Sequence, residues 1–264
     1  MQIYSAAQIH EWDDFTIKNE PVSSVDLMER AAAACYTWLS KNGYDNRAFS
    51  VYCGKGNNGG DGLALARMLA LSGHDVEVCI AEFGHKGTSD FQANLERLHN
   101  TTAIIRFVSE QGQLRQVPDN HLVIDAIFGS GLNRRPEGLN QQMIAHLNKS
   151  QATIISIDVP SGMSADQSSA GHTIINATHT LSFQQHKLAF LVPENEAYCG
   201  SIHILDIGLH KSFIKQTQSI AWLTDASMAA GYYRPRKNFG HKGTYGHSLI
   251  VAGSRGKIGA AVLA

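Results

Sequence analysis

Glycine, amide and carboxylate residues cluster in three short segments, and each segment ends an apolar run of the sequence. The first is CGKGNNGGDG, from Cys53 to Gly62, the second is IDAIFGSGLNRR, and the third is IDVPSGMSAD. Carboxylates transfer protons and bind cations, amide oxygens bind cations, and glycines let a ligand approach the backbone. The three segments are therefore candidate parts of one functional site.

The first segment also matches the glycine fingerprint of dinucleotide-binding proteins. Gly54, Gly56 and Gly59 satisfy G-x-G-x-x-G, and Glu82 follows where an acidic residue would bind a ribose. A tight turn that only packs a helix against a strand gives the same pattern, so this structural interpretation stays open. Asp61 adds a negative charge that a site for phosphate alone would avoid. The segment is therefore predicted to bind more than phosphate.

Asp125 and Asp158 lie near the ends of the apolar runs in the second and third segments. Burying a carboxylate there is costly unless it meets a cation, hydrogen-bond donors or a substrate. Each aspartate can also be a helix N-cap or brace a loop. Arg134 and Arg135 can bind a phosphate through their guanidinium groups, or form a solvated charge pair in a loop. Two such aspartates beside glycine-rich segments favour the functional interpretation.

Helices and strands alternate along the chain in a way that predicts how these segments are positioned. Ser5 and Gln8 form a capping-box pattern before a first helix, and a second helix is predicted to close near Gly43. Seven strand-like runs follow, with helical patterns between several of them: AFSVYC, DVEVCIA, TAIIRFV, HLVIDAIF, ATIISIDV, THTLSF and GSIHILDI. The alternation predicts a Rossmann-like three-layer α/β/α fold with a mostly parallel, doubly wound sheet. Ligands of such sheets bind outside the carboxyl ends of the strands, where the three segments converge.

Composition narrows the class of protein. A chain of 264 residues with 43% hydrophobic residues can form one or two domains with a substantial core. A formal net charge of −1 and the lack of a basic stripe argue against a nucleic-acid partner. With neither a long apolar run nor a signal-peptide pattern, we expect a soluble cytoplasmic protein that does not bind membranes. The four widely spaced cysteines are expected to be buried, reduced thiols.

Taken together, the three segments resemble the signatures of the NAD(P)H-hydrate epimerases. In that family the glycine segment reads N-N-G-G-D, and later strands end in D-x-x-x-G-x-G and D-[IV]-P-S-G. All three are present here, and the resemblance covers roughly residues 1–220. It implies an isomerase that interconverts the R and S forms of hydrated NADH or NADPH in the repair of nicotinamide cofactors.

The resemblance also implies roles for individual residues. Substrate would contact Asp158 and two runs of the chain: Asn57, Asn58, Gly59, Gly60 and Asp61, followed by Gly129, Ser130, Gly131, Leu132, Asn133, Arg134 and Arg135. Asp158 is the leading acid–base candidate. Lys187, in FQQHKLAF, is a weaker electrostatic or proton-donating candidate that can equally be a surface lysine. A potassium ion would be held by Asn58, Asp125 and Ser161, or Asp125 would only accept backbone N–H bonds and fix its loop.

The sequence changes character after about residue 222. Residues 223–264 resemble the opening of the ADP- or ATP-dependent NAD(P)H-hydrate dehydratase domain, a ribokinase-like fold that follows the epimerase domain in bifunctional proteins. GHSLIVAGS would be a strand and GKIGAAVLA the start of a helix. We therefore expect an epimerase domain over residues 1–222, followed by a truncated fragment of the second domain. Dehydratase (lyase) activity is expected only in the full-length bifunctional protein.

Two other functions compete with the epimerase. An NAD-dependent dehydrogenase would use the glycine fingerprint and Glu82, although the sequence has no separate substrate domain or catalytic histidine constellation. A noncatalytic dinucleotide-binding or partner-binding module would use the same fold without turnover. We expect the chain to form a homodimer or a higher homo-oligomer.

Overall fold

The computed structural model describes residues 1–247 and 249–263 and divides them into two units. One unit is formed by residues 2–223, and the other by Met1 with the residues from Thr224 onward. The prediction of domains over residues 1–222 and 223–264 remains a prediction. In the described residues, no helix is both long enough and apolar enough to cross a membrane.

A parallel sheet of seven strands, counted over the described residues, forms the middle layer of the larger unit. The spatial order is β4-β3-β2-β5-β6-β7-β8, and every neighbouring pair is parallel. The strands are β2 Ala48–Cys53, β3 Val76–Ala81, β4 Ile104–Val108, β5 His121–Ala126, β6 Ile154–Ile157, β7 His179–Phe183 and β8 Ser201–Leu205. Each lies within one of the seven predicted runs, so the doubly wound sheet is confirmed. The chain changes direction across the sheet between β2 and β5, which is where such folds open a ligand crevice.

Helices cover both faces of the sheet. The longer helices are α1 Ala6–Asn19, α2 Ser24–Lys41, α3 Asn57–Leu71, α4 Ser89–His99 and α5 Gly138–Asn148. Side chains of α1 to α4 pack on one face against Phe49 and Val51, while α5 packs on the other face near Tyr52 and Val123. Two apolar cores therefore sandwich the sheet, as expected for a three-layer α/β/α fold.

The two leading helices begin as predicted. The Ser5 hydroxyl accepts a hydrogen bond from the backbone N–H of Gln8 at 3.2 Å, and the Gln8 side chain accepts one from the Ser5 backbone at 3.0 Å. This reciprocal capping box satisfies N–H groups that have no partner inside the helix. Ser23 and Asp26 form a second capping box at the start of α2, and Gly43 has the positive φ (82°) of a helix-closing glycine.

The glycine segment is only partly a loop, because α3 already begins at Asn57 and contains N-N-G-G-D in its first turns. A Cβ on Gly59 would lie 1.9 Å from the Gly54 carbonyl oxygen, and one on Gly62 would lie 2.5 Å from the Ala126 Cβ. The bare backbone of these two glycines therefore lets α3 pack against the strands and the preceding loop. The structural interpretation left open for the glycines is correct for these contacts.

Shorter elements complete both units. In the larger unit, β1 Gln2–Ile3 pairs antiparallel with β9 Ala221–Trp222, a two-stranded sheet that the sequence did not reveal, and α6 Glu196–Cys199 and α7 Phe213–Gln216 are single turns. The smaller unit contains α8 Ala226–Tyr232 and α9 Gly259–Leu263. The strand predicted for GHSLIVAGS is wrong where it is described, because residues 249–253 have no strand partner and their large apolar side chains are exposed. Ser248, within that run, lies outside the described residues.

Candidate active site

A cavity of about 930 Å³ opens at the carboxyl ends of the parallel strands. Its wall comes from α1, from the turn between β2 and α3 together with the start of α3, and from the segments that follow β3, β5, β6, β7 and β8. This volume lies in the upper part of the range of small-molecule and cofactor sites. The three sequence segments singled out for chemistry contribute to this cavity, as the parallel topology predicted.

Asp158 follows β6, lines the cavity and has an unusual backbone conformation. Its φ is 67°, in the left-handed region that few residues other than glycine, asparagine and aspartate adopt. One carboxylate oxygen, Oδ2, accepts the Ser130 N–H at 2.7 Å, and the other, Oδ1, lies 3.1 Å from the Lys187 Nζ. Burial alone would raise the pKa of Asp158, but Lys187 and the Ser130 N–H hold it below its ordinary value. The carboxylate is therefore ionised at neutral pH.

Lys187 is a core residue, with only 1% of its side chain exposed. Its ammonium group donates a hydrogen bond to the Phe183 carbonyl at 2.8 Å and pairs with Asp158. The alternative of a surface lysine is therefore wrong. Because a buried ammonium requires a counter-charge, the ion pair with Asp158 compensates for the burial of Lys187.

The side chains of Asn58 and Asp158 both lie against Gly129. A Cβ on Gly129 would lie 2.9 Å from Asp158 Oδ2 and 3.1 Å from Asn58 Oδ1. Asn58 is 8% exposed, and neither atom of its amide group has a hydrogen-bond partner among the described residues. Buried amides are rarely left without partners, so this side chain is arranged for a ligand or an ion.

Asp125 lies deeper, at the end of β5, and is completely buried. Its carboxylate accepts hydrogen bonds from the Ser156 hydroxyl at 2.7 Å, the Ser161 backbone N–H at 2.9 Å, the Ser161 hydroxyl and, more weakly, the Ile127 N–H. Burial raises the pKa of Asp125 above its ordinary value, although these hydrogen bonds act in the opposite direction. The carboxylate forms no ion pair in the part of the chain that the structure describes. The hydrogen bonds that the loop-bracing alternative requires are therefore present, and the donors that meet the carboxylate are neutral.

Most of the predicted substrate-contacting residues line the cavity. They are Asn57, Asn58, Asp61, Asp158 and the whole run from Gly129 to Arg135. Gly59 and Gly60 lie behind the wall, where a Cβ on Gly60 would meet the Met28 sulfur at 2.7 Å. Of the three predicted potassium ligands, Asp125 and Ser161 are in direct contact, while Asn58 lines the cavity next to Gly129.

Several residues of the cavity wall were missed by sequence reasoning. Helix α1 contributes Ala6, Ile9, His10 and Asp13, and the segment after β3 contributes Phe83, His85 and Thr88. The α1 residues have the spacing of a single helical face, in which two polar side chains follow two apolar ones. These two polar residues on an otherwise apolar helical face were the sequence signal that could have identified α1 as part of the cavity wall.

Glu82, the acidic residue of the dehydrogenase alternative, does not line the cavity. It forms an ion pair with Lys55 at 2.5 Å and accepts the Gly84 N–H at 2.7 Å. These contacts hold the pKa of Glu82 below its ordinary value. A carboxylate engaged in this way is not free to bind a ribose, which weakens the dehydrogenase interpretation.

Residues 24–189 match the protein family described as YjeF-related protein N-terminus. The chain belongs to this family. The YjeF-related match spans α2 through the segment that carries Lys187, so it includes all three strand-end segments. A crystal structure of the yeast protein ynu0 has the same fold, with a TM-score of 0.68 and 20% identity over 85% of this chain and 97% of the yeast chain.

Curated relatives of two lengths resemble this YjeF-related chain. The NAD(P)H-hydrate epimerase of Oenococcus oeni is 32% identical over 78% of the chain and 97% of that relative. The bifunctional NAD(P)H-hydrate repair enzyme Nnr of Moorella thermoacetica is 30% identical over the whole chain but only 51% of its own length. The chain therefore spans about half the length of the bifunctional relatives, and the family identified from the sequence is confirmed.

Proposed function

We propose that this chain interconverts the R and S epimers of hydrated NADH and NADPH. The observation that carries the proposal is the ion pair between Asp158 and Lys187, which places a buried carboxylate and ammonium at a cofactor-sized cavity. The relatives named NAD(P)H-hydrate epimerase in Oenococcus oeni and Limosilactobacillus fermentum support the same activity. The proposed role is repair of nicotinamide cofactors in the cytoplasm by a homodimer or higher homo-oligomer.

The chemistry follows from the substrate. Addition of water across a ring double bond of the reduced nicotinamide leaves a hydroxyl group on a ring carbon bonded to the ring nitrogen. Inversion of that carbon requires a bond to break and reform, through loss and return of water or through ring opening and closure. Either route requires one group that accepts a proton and one that donates it. We assign Asp158 as the acid–base residue and Lys187 as the charge, or proton donor, beside it.

The dinucleotide is proposed to bind along the wall formed by residues 129–135 and the start of α3. The first N–H groups of a helix attract anions, and α3 begins with Asn57 at the cavity. Arg134 and Arg135 are exposed cations on the same wall. These donors and charges suit a pyrophosphate, while Asn58 and Asp158 are left for the nicotinamide end.

A potassium ion is the proposed cofactor, and the donor chemistry fits it. Among the described residues, Asn58 Oδ1 is buried without a hydrogen-bond partner, and the Asp125 carboxylate is met by neutral donors. The Ser161 hydroxyl would be the third ligand. Hard oxygen donors with one formal charge suit a weakly hydrated monovalent ion better than magnesium. When bound, the ion would tie together the ends of β5 and β6 and the start of α3.

Dehydration with ADP or ATP is proposed to belong to the longer bifunctional protein. The chain aligns with about half of the bifunctional relative from Coxiella burnetii as well, 53% of its length. The cavity described above is formed by residues of the larger unit alone. We therefore assign the epimerase step to residues 1–222 and assign no dehydratase activity to residues 223–264.

The test is a chromatographic assay of the separated R and S epimers of hydrated NADH. We expect the protein to accelerate their interconversion above the buffer rate, while the nicotinamide is neither oxidised nor reduced. If the interconversion rate equals that in buffer alone while calorimetry shows that the hydrate binds, the noncatalytic module would be favoured instead. Hydride transfer to an added acceptor would favour the dehydrogenase.

A further inference from the structure

Helix α1 lines the cavity with one of its faces, and that face ends in a carboxylate. Ala6, Ile9, His10 and Asp13 all contribute to the cavity wall. The neighbouring residue on the same helix, Asp14, is exposed and does not line the cavity. The helix therefore presents one of two adjacent aspartates to the cavity.

The Asp13 carboxylate differs from that of Asp158 in having no partner among the described residues. Both oxygens of Asp158 are engaged, by the Ser130 N–H and by Lys187. Asp13 is partly buried, and over residues 1–247 and 249–263 the structure gives it neither a hydrogen bond nor an ion pair. A half-buried carboxyl group without partners destabilises the folded protein. We therefore expect Asp13 to interact with a bound ligand.

Several charged groups surround Asp13. The pKa of Asp13 is raised to about 7, chiefly by burial; the charge of Lys187 opposes this rise and that of Asp158 adds to it. On its own helix His10 lowers the pKa and Asp14 raises it. Burial raises the pKa of Asp61, on α3, well above its ordinary value, and the charge of Asp13 contributes to that rise. The environments thus push the pKa values of Asp13 and Asp158 in opposite directions, an arrangement that assigns one carboxyl group as acid and the other as base.

A second observation points to a polar ligand in the same cavity. Asn58, nine-tenths buried, lines the cavity and has an amide group without hydrogen-bond partners among the described residues. Such an amide is costly unless a ligand or ion completes it. The cavity is therefore built to place a polar group between α1, α3 and the end of β6.

We propose, on the basis of the epimerase activity proposed above, that Asp13 is a second catalytic carboxyl group. It donates the proton that releases the hydroxyl group from one face of the nicotinamide ring, while Asp158 deprotonates the water that returns to the other face. Inversion requires proton transfer on both faces, and the two carboxyl groups reach the cavity from different elements.

The proposed step balances in atoms and electrons. The neutral Asp13 carboxyl group gives its proton to the hydroxyl oxygen, the carbon–oxygen bond breaks, and its electron pair leaves with a water molecule. The lone pair of the ring nitrogen forms a carbon–nitrogen double bond. A solvent water then forms a new carbon–oxygen bond, the double-bond electrons return to nitrogen, and the extra proton passes to the Asp158 carboxylate. Asp158 then releases its proton to solvent and Asp13 takes one up, which restores both groups for the next turnover. The opposite inversion runs with the roles of Asp13 and Asp158 exchanged.

The experiment compares Asp13→Asn with Asp14→Asn, which makes the same change one residue further along α1. In the wild type, kcat should fall as the pH rises through about 7, because Asp13 loses the proton that it donates. Asp13→Asn should lower kcat about 10²-fold, with KM changed less than about threefold, and should abolish this alkaline decline. Asp14→Asn should keep kcat within about twofold and keep the decline.

Thermal melting separates a chemical effect from a structural one. Because the folded state raises the pKa of Asp13, ionisation of Asp13 costs stability above about pH 7, and this cost is absent below the unfolded pKa. Asp13→Asn should therefore melt no lower than the wild type at pH 8. Unchanged kcat in Asp13→Asn, or an equal loss in Asp14→Asn, would overturn the role of Asp13 while leaving the epimerase activity intact. A wild-type protein without activity would overturn both proposals.

Discussion

The ends of β5 and β6 each carry a buried aspartate, but the two residues have different surroundings. Asp125 accepts hydrogen bonds from neutral hydroxyl and N–H donors and lies behind the cavity wall. Asp158 has a positive φ, a lysine partner and a place in the cavity. The position of a carboxylate at a strand end therefore does not decide its role. Neutral donors are typical of a carboxylate that fixes a loop or binds an ion, whereas a cationic partner and access to the cavity are typical of a catalytic one.

Replacing Asp158 with Asn tests this distinction with the largest expected effect. The variant keeps the side-chain shape and tolerates the positive φ, but it removes the charge that accepts a proton. We expect kcat for epimer interconversion to fall about 10²- to 10³-fold. Because Lys187 loses its counter-charge, the free energy of unfolding should also fall by about 3 kcal/mol. The assay is run well below the melting temperature, with exposed Asp45→Asn as the matched control; wild-type turnover in Asp158→Asn would remove this residue from the mechanism.

Asp125→Ala should affect stability rather than chemistry. The change leaves the Ser156 hydroxyl and the Ser161 N–H without their acceptor in a buried site. We expect the free energy of unfolding, measured by urea denaturation, to fall by about 2 kcal/mol. Asp119→Ala, on the surface, should change it by less than about 0.5 kcal/mol. A variant of normal stability that has lost its kcat would reverse the roles of the two aspartates.

Gly129→Ala probes the contact between the cavity wall and Asp158. The added methyl group would lie 2.9 Å from Asp158 Oδ2 and 3.1 Å from Asn58 Oδ1, so both side chains must shift. Small displacements of reacting groups slow catalysis, and we expect kcat to fall about 10-fold with little change in melting temperature. Gly112→Ala, where nothing lies within 4 Å of the added methyl group, is the control and should behave as wild type.

Potassium gives the smallest expected effect and probes the surroundings of Asp125. At ten times its dissociation constant an ion that binds only the folded state adds about 1.4 kcal/mol of stability. We expect potassium to raise the melting temperature of the wild type, to raise that of Asp125→Asn in part, and to leave Asp125→Ala unchanged. Equal melting and activity in potassium, sodium and a bulky organic cation at the same ionic strength would contradict the cation site.

Periodicity and order along the chain were enough to predict the fold of the larger unit. Each buried strand is a compact apolar run, and the capping boxes at Ser5 and Ser23 are local patterns of hydrogen bonds. The start of α3 was not predictable in the same way. Two asparagines and several glycines disfavour a helix locally, and the close packing of Gly59 and Gly62 against other elements overrides that preference. Packing of this kind is a tertiary effect that a local pattern does not contain.

The candidate site was predictable where its residues follow strands and not where they come from elsewhere. Asp158 and the run from Gly129 to Arg135 follow directly from the topology of a parallel sheet. Asp13 comes from a helix far away in sequence, and its access to the cavity depends on how α1 packs. The burial of Lys187 likewise depends on the fold of the segment after β7. The strand expected near residue 250 rested on the resemblance to a second domain, and over residues 249–253 it has no neighbouring strand to pair with.

The left-handed backbone at residue 158 restricts which amino acids a saturation library can place there. Most side chains pay about 1–2 kcal/mol in that conformation, whereas glycine, asparagine and aspartate adopt it readily. A selection for abundance in such a library should therefore enrich the three tolerant residues relative to β-branched and aromatic ones. A selection for activity should keep aspartate alone. Residue 158 therefore meets two independent requirements, and comparing the two selections separates the requirement of the backbone from that of the reaction.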